Sequence, residues 1–181
     1  MKYLIEHVSR FLKAARMGLL WNGTTRFVLP KQFKYNFKSF SIVGPEEKSL
    51  AWVFRDVVLD DEYGLSCIAK TPKTVLDIGG NIGLFSIWAG AKFPGAAIHV
   101  YEPNPALFEA LTANVGQVGA TVYTEGVSAQ DGHGHFVENG ESMVGQCSLA
   151  SDGDIRLVSL RSAIERLGGS VDFFKNGLRR R

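Results

Sequence analysis

One segment constrains the fold of this 181-residue chain more than any other: residues 74–85, which read Thr-Val-Leu-Asp-Ile-Gly-Gly-Asn-Ile-Gly-Leu-Phe. Val75, Leu76 and Ile78 form the short apolar run that is typical of a buried parallel strand. The glycine-rich turn that follows predicts a sharp change of direction into a helix. Such a turn after the first strand of a doubly wound sheet is where nucleotide-like cofactors bind. The segment therefore predicts an α/β fold with a cofactor site at the carboxyl end of this strand.

The turn supplies the first candidate cofactor-binding residues, with the spacing Asp77-x-Gly79-x-x-x-Gly83. Gly79, Gly80 and Gly83 let the backbone approach a ligand closely because glycine has no Cβ. Asn81 is a good N-cap, so we expect the helix to begin there with free backbone N–H groups above the strand. The second and third glycines of a dinucleotide fingerprint are missing, which argues against NAD. No Gly-Lys-Ser/Thr follows, which excludes a phosphate-binding P-loop.

A carboxylate stands at the end of the next predicted strand, residues 97–101. Glu102 follows that strand directly and opens the sequence Glu-Pro-Asn-Pro. A carboxylate at this position can accept hydrogen bonds from both hydroxyls of a ribose. Pro103 and Pro105 stiffen the turn around Asn104, and Pro105 suits the first position of the next helix. We expect Glu102, Pro103 and Asn104 to belong to the cofactor site.

Together the two motifs resemble the S-adenosylmethionine (SAM) site of class I methyltransferases, and more narrowly that of the FkbM family. The resemblance runs from about residue 53 to residue 175 and includes the predicted third strand, which begins at Thr121. It implies that SAM is the cofactor, with its amino-acid end at the glycine turn and its ribose at Glu102. It also implies that Gly126 and Val127 border the adenine and that the reaction is O-methylation of a small molecule or sugar. It identifies no catalytic base.

The resemblance implies a Rossmann-like, doubly wound parallel sheet in the order third, second, first, fourth strand, with helices on both faces. In the FkbM family the fourth strand continues from Lys into Ile-Asp-x-Glu-Gly, whereas Lys175 is followed by Asn-Gly-Leu-Arg-Arg-Arg. We therefore expect a truncated domain, incomplete after its fourth core strand, with an exposed sheet edge that favours self-association.

Two functions of different class follow from this sequence. The chain is either the cofactor-binding part of a SAM-dependent methyltransferase, or a non-catalytic remnant that binds SAM without transferring its methyl group. An NAD-dependent oxidoreductase is the third and weakest alternative, because of the glycine spacing.

The composition is that of a globular chain with an uneven charge distribution. An apolar content of 45% argues against a disordered chain, and no apolar run is long enough to span a bilayer. Residues 1–40 carry eight Lys/Arg and one acid, a net charge of +7, whereas residues 41–181 carry twelve Lys/Arg and seventeen acids, a net of −5. We predict an N-terminal extension over residues 1–70 and a partial SAM-binding domain over residues 71–181.

The N-terminal extension begins with a predicted basic amphipathic helix, residues 1–20, whose charges rule out a signal peptide. Its apolar face comprises Leu4, Val8, Phe11, Leu12, Ala15 and Leu19. We expect this helix to pack on its own domain, and contact with a membrane surface or a partner is the alternative. Residues 27–43 alternate aromatics with lysines and predict a strand or hairpin with one buried face. Nucleic-acid binding is not expected, given the acidic remainder of the chain.

The cysteines and histidines suggest no metal site. Cys67 and Cys147 lack metal-type spacing, so we predict two free thiols in a reducing, cytoplasmic location. His133 and His135 could share a strand face toward a metal, but no third ligand is evident, and we favour a solvated hairpin. Residues 131–158 predict short strands joined by turns, inserted between the third and fourth core strands.

Overall fold

The structure, a computed structural model, describes residues 2–19, 28–45, 48–138 and 145–177. The chain divides into two compact units, Met1–Ala69 and Lys70–Arg181. Within the described ranges, no helix is long and apolar enough to cross a membrane.

The first unit combines helices with a β-hairpin. Its elements are α1 (Lys2–Arg16), β1 (Gln32–Tyr35), β2 (Lys38–Ser41), α2 (Lys48–Phe54), a π-helical turn (Arg55–Leu59) and a 3-10 turn (Leu65–Cys67). The predicted hairpin is confirmed for its described part, since β1 and β2 pair antiparallel with Phe33 opposite Phe40. Both rings are buried and stack at 5.2 Å, and Phe33 also meets Phe54 of α2 edge-on at 5.8 Å. Phe27 lies outside the described residues.

α1 packs on this unit, as expected, but not through the predicted face. Ala14 and Met17 are buried. The Arg10 guanidinium donates to both carboxylate oxygens of Asp60, at 2.5 and 2.7 Å, and Lys13 Nζ donates to the Leu59 carbonyl at 3.1 Å. The expected packing face is therefore wrong for Val8, Phe11, Leu12 and Ala15, which are all exposed, whereas Leu19 is half-buried and the Leu4 side chain lies outside the described part of the structure. The turn beneath the helix offers a carboxylate and a carbonyl, and these attract the cationic face instead of the apolar one.

The second unit contains a parallel sheet and a smaller mixed sheet. In chain order its elements are β3 (Thr74–Ile78), α3 (Leu84–Lys92), β4 (Ala97–Tyr101), a 3-10 turn (Pro105–Leu107), α4 (Phe108–Gly116), β5 (Thr121–Tyr123), β6 (Gly126–Ser128), β7 (Gly132–Glu138), β8 (Gly145–Leu149), β9 (Ile155–Ser159), α5 (Leu160–Arg166) and β10 (Phe173–Asn176). The parallel sheet has the order β10-β3-β4-β5. This confirms the predicted order of third, second, first and fourth core strands.

Helices cover both faces of the parallel sheet, so the doubly wound α/β prediction is confirmed. On one face, Ser86 of α3 donates to the Asp77 carboxylate of β3 at 2.6 Å. On the other face, Ala163 of α5 packs into an apolar cluster with Leu76, Ile78 and Tyr101. This alternation follows from the strand geometry, since successive side chains point to opposite faces. Among the described strands, β10 pairs only with β3, and self-association through this edge stays a prediction.

The predicted short strands between the third and fourth core strands are confirmed as the second sheet, in the order β6-β9-β7-β8. His133 and His135 lie on β7 and are both exposed. His135 approaches Asp152 and Asp154 at 3.5 Å each. In the part of the chain that the structure describes, no group of three or more His, Cys, Asp or Glu side chains is arranged to hold a metal ion.

We predict that substitution by alanine will lower the free energy of unfolding much more at Gly83 than at Gly95. Gly83 and Gly95 both have left-handed φ angles, +84° and +89°. A Cβ on Gly83 would overlap Val115 and lie 3.1 Å from Leu111, whereas nothing lies within 4 Å of a Cβ on Gly95. We expect Gly95→Ala to lower the free energy of unfolding by about 1 kcal/mol through backbone strain alone. Gly83→Ala should cost about 2–4 kcal/mol, because overpacking adds to that strain. Urea denaturation measures both losses, and equal losses of unfolding free energy for the two variants would contradict the packing of Gly83 against Val115 and Leu111.

Candidate active site

Glu102 joins the two halves of the predicted site. It follows β4 directly and is only 6% exposed. Its Oε2 accepts a hydrogen bond from the Asn81 backbone N–H at 2.8 Å, and its Oε1 accepts one from the Asn104 backbone N–H at 2.9 Å. Burial raises the pKa of the Glu102 carboxyl, and these two N–H groups and the Lys175 charge oppose that rise. Each carboxylate oxygen keeps a second lone pair that can accept from a ligand hydroxyl.

The glycine turn differs from the prediction at its junction with the helix. α3 begins at Leu84, and its N-cap is Gly83 with a φ of +84°. Asn81 has a φ of +55°, and its Oδ1 accepts a hydrogen bond from the Ile82 N–H at 2.6 Å. The expectation that Asn81 caps the helix is therefore wrong. The left-handed conformations of Asn81 and Gly83 delay the helix, because a right-handed helix needs negative φ throughout.

The backbone N–H groups of the turn are used within the fold, which also corrects the prediction. Gly79 N and Gly80 N both donate to the Tyr101 carbonyl, at 2.9 and 3.1 Å, and Gly83 N donates to the Gly80 carbonyl at 2.8 Å. These bonds attach the turn to the carboxyl end of β4. These N–H groups are therefore already occupied, which leaves the carbonyl groups of the turn and the Glu102 carboxylate as candidate ligand contacts.

The three glycines of the turn have different roles. A Cβ on Gly80 would overlap Val100, and one on Gly83 would overlap Val115, so these two glycines permit close packing of helix on strand. Gly79 has a φ of +71° and is half-buried, and a Cβ there would stand 3.6 Å from the Gly177 Cα. Of the three glycines, only Gly79 therefore keeps the predicted role of letting a ligand approach the backbone closely.

Lys175 contacts the predicted site, although the sequence motifs did not assign it there. Its Nζ lies 2.8 Å from Asp77 Oδ1, and it donates to the carbonyls of Gly79 at 2.6 Å and Ile78 at 3.2 Å. The Asp77 carboxylate is fully buried. The parallel register pairs Lys175 directly with Asp77. A strand-pairing argument could have found this contact, because each residue is the last but one of its strand and the two core strands were predicted to be neighbours.

The Glu-Pro-Asn-Pro turn is rigid and buried. Asn104 is 2% exposed, and its side-chain Oδ1 accepts a hydrogen bond from the Ala106 N–H at 3.0 Å. Asn104 therefore caps the 3-10 turn that begins at Pro105. This agrees with the prediction that Pro105 occupies the first position of a helix. Pro103 is half-buried between Glu102 and Asn104. This arrangement directs the Asn104 backbone N–H at the Glu102 carboxylate.

Gly126 and Val127 are the first two residues of β6, but their surroundings differ. A Cβ on Gly126 would lie 3.0 Å from Cys147 Sγ. Burial and the Glu102 charge raise the pKa of the Cys147 thiol to about 11. Gly126 therefore borders the Cys147 thiol. The Val127 side chain instead packs against the apolar cluster that contains Tyr101, so only its backbone is available to border a ligand.

A cavity of about 570 Å³ lies away from the glycine turn and involves none of the predicted site residues. Residues of β7, β9 and α5 line it, among them His133, Arg156 and Arg166. Arg166 pairs with Glu125 at 2.5 Å, and Arg156 lies 3.5 Å from the same carboxylate. The sequence motifs gave no signal for this cavity.

The two thiols should differ sharply in reactivity. Cys67 is exposed, whereas Cys147 is partly buried with its pKa raised to about 11. Because the thiolate is the nucleophile, at about pH 8 we expect one thiol per chain to react fast with a maleimide and the second to react at least about tenfold more slowly. Cys67→Ser should remove the fast phase and Cys147→Ser should keep it. Two equal rates in the folded protein would contradict this environment.

Comparison with known proteins links part of the chain to methyltransferases. No model of a known protein family matches the sequence. Over 64 residues, 35% of this chain, it is 36% identical to the 31-O-demethyl-FK506 methyltransferase FkbM of Streptomyces tacrolimicus. Over a stretch of the same length it is 31% identical to the methyltransferase sdnD of Sordaria araneosa. The matched part of the chain is therefore similar to methyltransferases, without selecting FkbM among them.

Two further similarities were found, and all of the matches cover only part of the proteins compared. The chain is 30% identical over 91 residues to the AMB antimetabolite synthetase AmbE of Pseudomonas aeruginosa, which is 50% of this chain and 4% of that protein. The chain spans about a quarter of the two methyltransferases, 25% and 24% of their lengths. A solved structure of a Pyrococcus horikoshii protein, provisionally described as a transferase, aligns with a TM-score of 0.35 and 16% identity over 67% of this chain and 49% of that one.

Proposed function

We propose that this chain binds SAM at the carboxyl ends of β3 and β4 and is the cofactor-binding part of an O-methyltransferase. The observation that carries the proposal is the Glu102 carboxylate, which Asn81 N and Asn104 N hold at the end of β4 beside the half-buried Gly79. The methyltransferase names of the relatives support the same reading.

The residues at this edge fit the chemical groups of SAM. Glu102 offers carboxylate oxygens to the two hydroxyls of a ribose. The Gly79 carbonyl and the Asp77 carboxylate already hold one ammonium group, that of Lys175, at 2.6 and 2.8 Å. Because Lys175 already neutralises Asp77, whose carboxylate is fully buried, Asp77 is proposed to support the glycine turn and not to contact the amino group of the cofactor. Gly80, Asn81 and Gly83 shape the turn, and Gly126 and Val127 are proposed to lie beside the adenine.

The proposed contribution of the chain to methyl transfer is orientation. SAM supplies a methyl group on a sulfonium that is itself a good leaving group. Glu102 and the glycine turn would fix the cofactor so that its methyl group faces the acceptor, and holding two reactants in line lowers the barrier substantially. The Streptomyces relative is named for methylation of an O-demethyl compound, and this supports a hydroxyl acceptor on a small molecule or sugar.

A binding module without transfer activity is the second candidate. A hydroxyl acceptor benefits from a general base. Asp77 is paired with Lys175 and Ser86, and Glu102 holds two backbone N–H groups. Neither carboxylate is therefore proposed as that base. Because both carboxylates are engaged in contacts within the fold, this edge of the sheet is better suited to binding the cofactor than to catalysing the transfer.

Calorimetry on the full chain tests the proposal. We expect SAM and S-adenosylhomocysteine to bind with one site per chain, and both to bind more tightly than NAD. Tighter binding of NAD, or no binding of either sulfur nucleoside by a folded chain, would overturn it. Incubation with methyl-labelled SAM and hydroxyl acceptors then separates the two candidates, since only the enzyme transfers label.

A further inference from the structure

The outward face of α1, formed by Val8, Phe11 and Leu12, is apolar and exposed. The three residues are 50%, 52% and 50% exposed. An amphipathic helix on a globular unit normally buries this stripe. Here the opposite side of the helix is anchored through Ala14, Met17 and the Arg10–Asp60 ion pair. The outward face is therefore presented by a helix that is already fixed.

Basic residues lie on α1 and on the hairpin that adjoins its end. Arg16 is exposed and lies one helical turn after Leu12, on the same side of the helix. The β1–β2 hairpin adjoins the end of α1, because the Lys34 N–H donates to the Met17 carbonyl at 2.9 Å. Lys31, Lys34 and Lys38 of this hairpin are all exposed. Residues 1–40 carry a net charge of +7.

The hairpin tip repeats the same combination of apolar and basic side chains. Phe37 is fully exposed between the two strands and is held with a φ of +63°, next to Asn36 at +46°. A bulky residue in this left-handed conformation is strained. An exposed, strained aromatic beside Lys38 has no role in the core formed by Phe33 and Phe40.

We propose that the outward face of α1 docks onto an anionic lipid surface, with the hairpin lysines adding electrostatic attraction. A helix with one apolar face and basic residues beside it lies in the plane of the interface, with its apolar side chains at the boundary of headgroups and acyl chains. Each basic residue near an anionic surface strengthens binding about fivefold.

A second copy of the chain suits this surface less well. Three half-exposed side chains present far less than the roughly 800 Å² that each partner contributes to a standard protein interface. Two copies would also bring together two regions that each carry +7, whereas an anionic surface neutralises that charge. The charge complementarity therefore selects lipid.

Vesicle sedimentation with the full chain tests the proposal. We expect the wild type to sediment with vesicles of phosphatidylcholine and phosphatidylserine, and not with phosphatidylcholine alone. Phe11→Ser/Leu12→Ser should lower the partition coefficient about tenfold or more. Lys34→Glu/Lys38→Glu should lower it similarly, and about 1 M salt should release the protein because the Debye length falls to about 3 Å.

A matched control comes from the second unit. Leu149 and Phe174 are 54% and 45% exposed, so Leu149→Ser/Phe174→Ser removes the same two side-chain types outside the basic region. This control should keep vesicle binding, and thermal unfolding should show that both double variants fold. No vesicle binding by the wild type, equal binding to neutral vesicles, or equal loss in both double variants would overturn the proposal. So would a wild-type dimer in sedimentation equilibrium that only Phe11→Ser/Leu12→Ser dissociates, since the occupant would then be a second copy.

Discussion

Lys175→Met should lower the free energy of unfolding by about 3–5 kcal/mol, because it leaves a buried charge without its partner. The Lys175 ammonium is 2.8 Å from Asp77 Oδ1, and the two side chains are 7% and 0% exposed. After the substitution the carboxylate would keep only the Ser86 hydroxyl, at 2.6 Å. Urea denaturation monitored by circular dichroism measures the loss.

A double-mutant cycle separates this pair from simple loss of packing. Asp77→Asn/Lys175→Met removes both charges, and we expect it to be more stable than Lys175→Met alone, because no unpaired carboxylate is left behind. Lys92 provides a surface control, since its ammonium stands 5.0 Å over the Trp88 ring on α3 and Lys92→Met leaves no buried charge. A loss below about 1 kcal/mol for Lys175→Met, with no coupling in the cycle, would contradict the ion pair.

Glu102→Ala should weaken SAM binding by about 1–3 kcal/mol, which is a loss of about fivefold to 150-fold in affinity. The change removes the proposed ribose acceptor and also leaves the Asn81 and Asn104 N–H groups without their carboxylate. Glu102→Gln keeps the size of the side chain, loses the charge and should weaken binding in the same direction. Titration calorimetry gives both affinities, and Glu109→Ala, an exposed acid on α4, should bind as the wild type does.

The Glu102 site should also give SAM binding a pH dependence. Burial raises the pKa of this carboxyl, so its proton is held to higher pH than that of an ordinary glutamate. The ionised form is the better acceptor for hydroxyls. Affinity should therefore fall as the pH drops through this raised pKa, and Glu102→Gln should abolish that dependence. An unchanged profile in the variant would assign the titration to another group.

The strand order was predictable because its signals are local and repeated. Buried parallel strands need short apolar runs, and the glycine turn and Glu102 mark the ends of two neighbouring strands, β3 and β4. The hairpin around Phe33 and Phe40 was predictable for a similar reason, since aromatic alternation specifies one buried face. In these cases the segment itself carries the information.

The missed features depend on partners distant in sequence. Lys175 and Asp77 are ninety-eight positions apart and meet only because β10 pairs with β3 in this register. The packing face of α1 was mispredicted because Asp60, outside the helix, pairs with Arg10. The Asn81 N–H is likewise occupied by Glu102, and this helps displace the helix start to Leu84. Hydrophobic periodicity indicates which side chains of a segment prefer to be buried. It does not indicate which polar groups elsewhere in the chain will pair with the other groups of that segment.

Titration of the full chain with S-adenosylhomocysteine, followed in amide nitrogen–proton correlation spectra, tests the proposed SAM site most directly. We expect saturable shifts of the Gly79, Gly80 and Asn81 amides together with that of Asn104, because Glu102 connects these loops. Smaller shifts are expected for the cavity residues Gly132, His133 and Arg156. Saturable shifts confined to the cavity, with the glycine-turn amides unmoved, would contradict the proposed site.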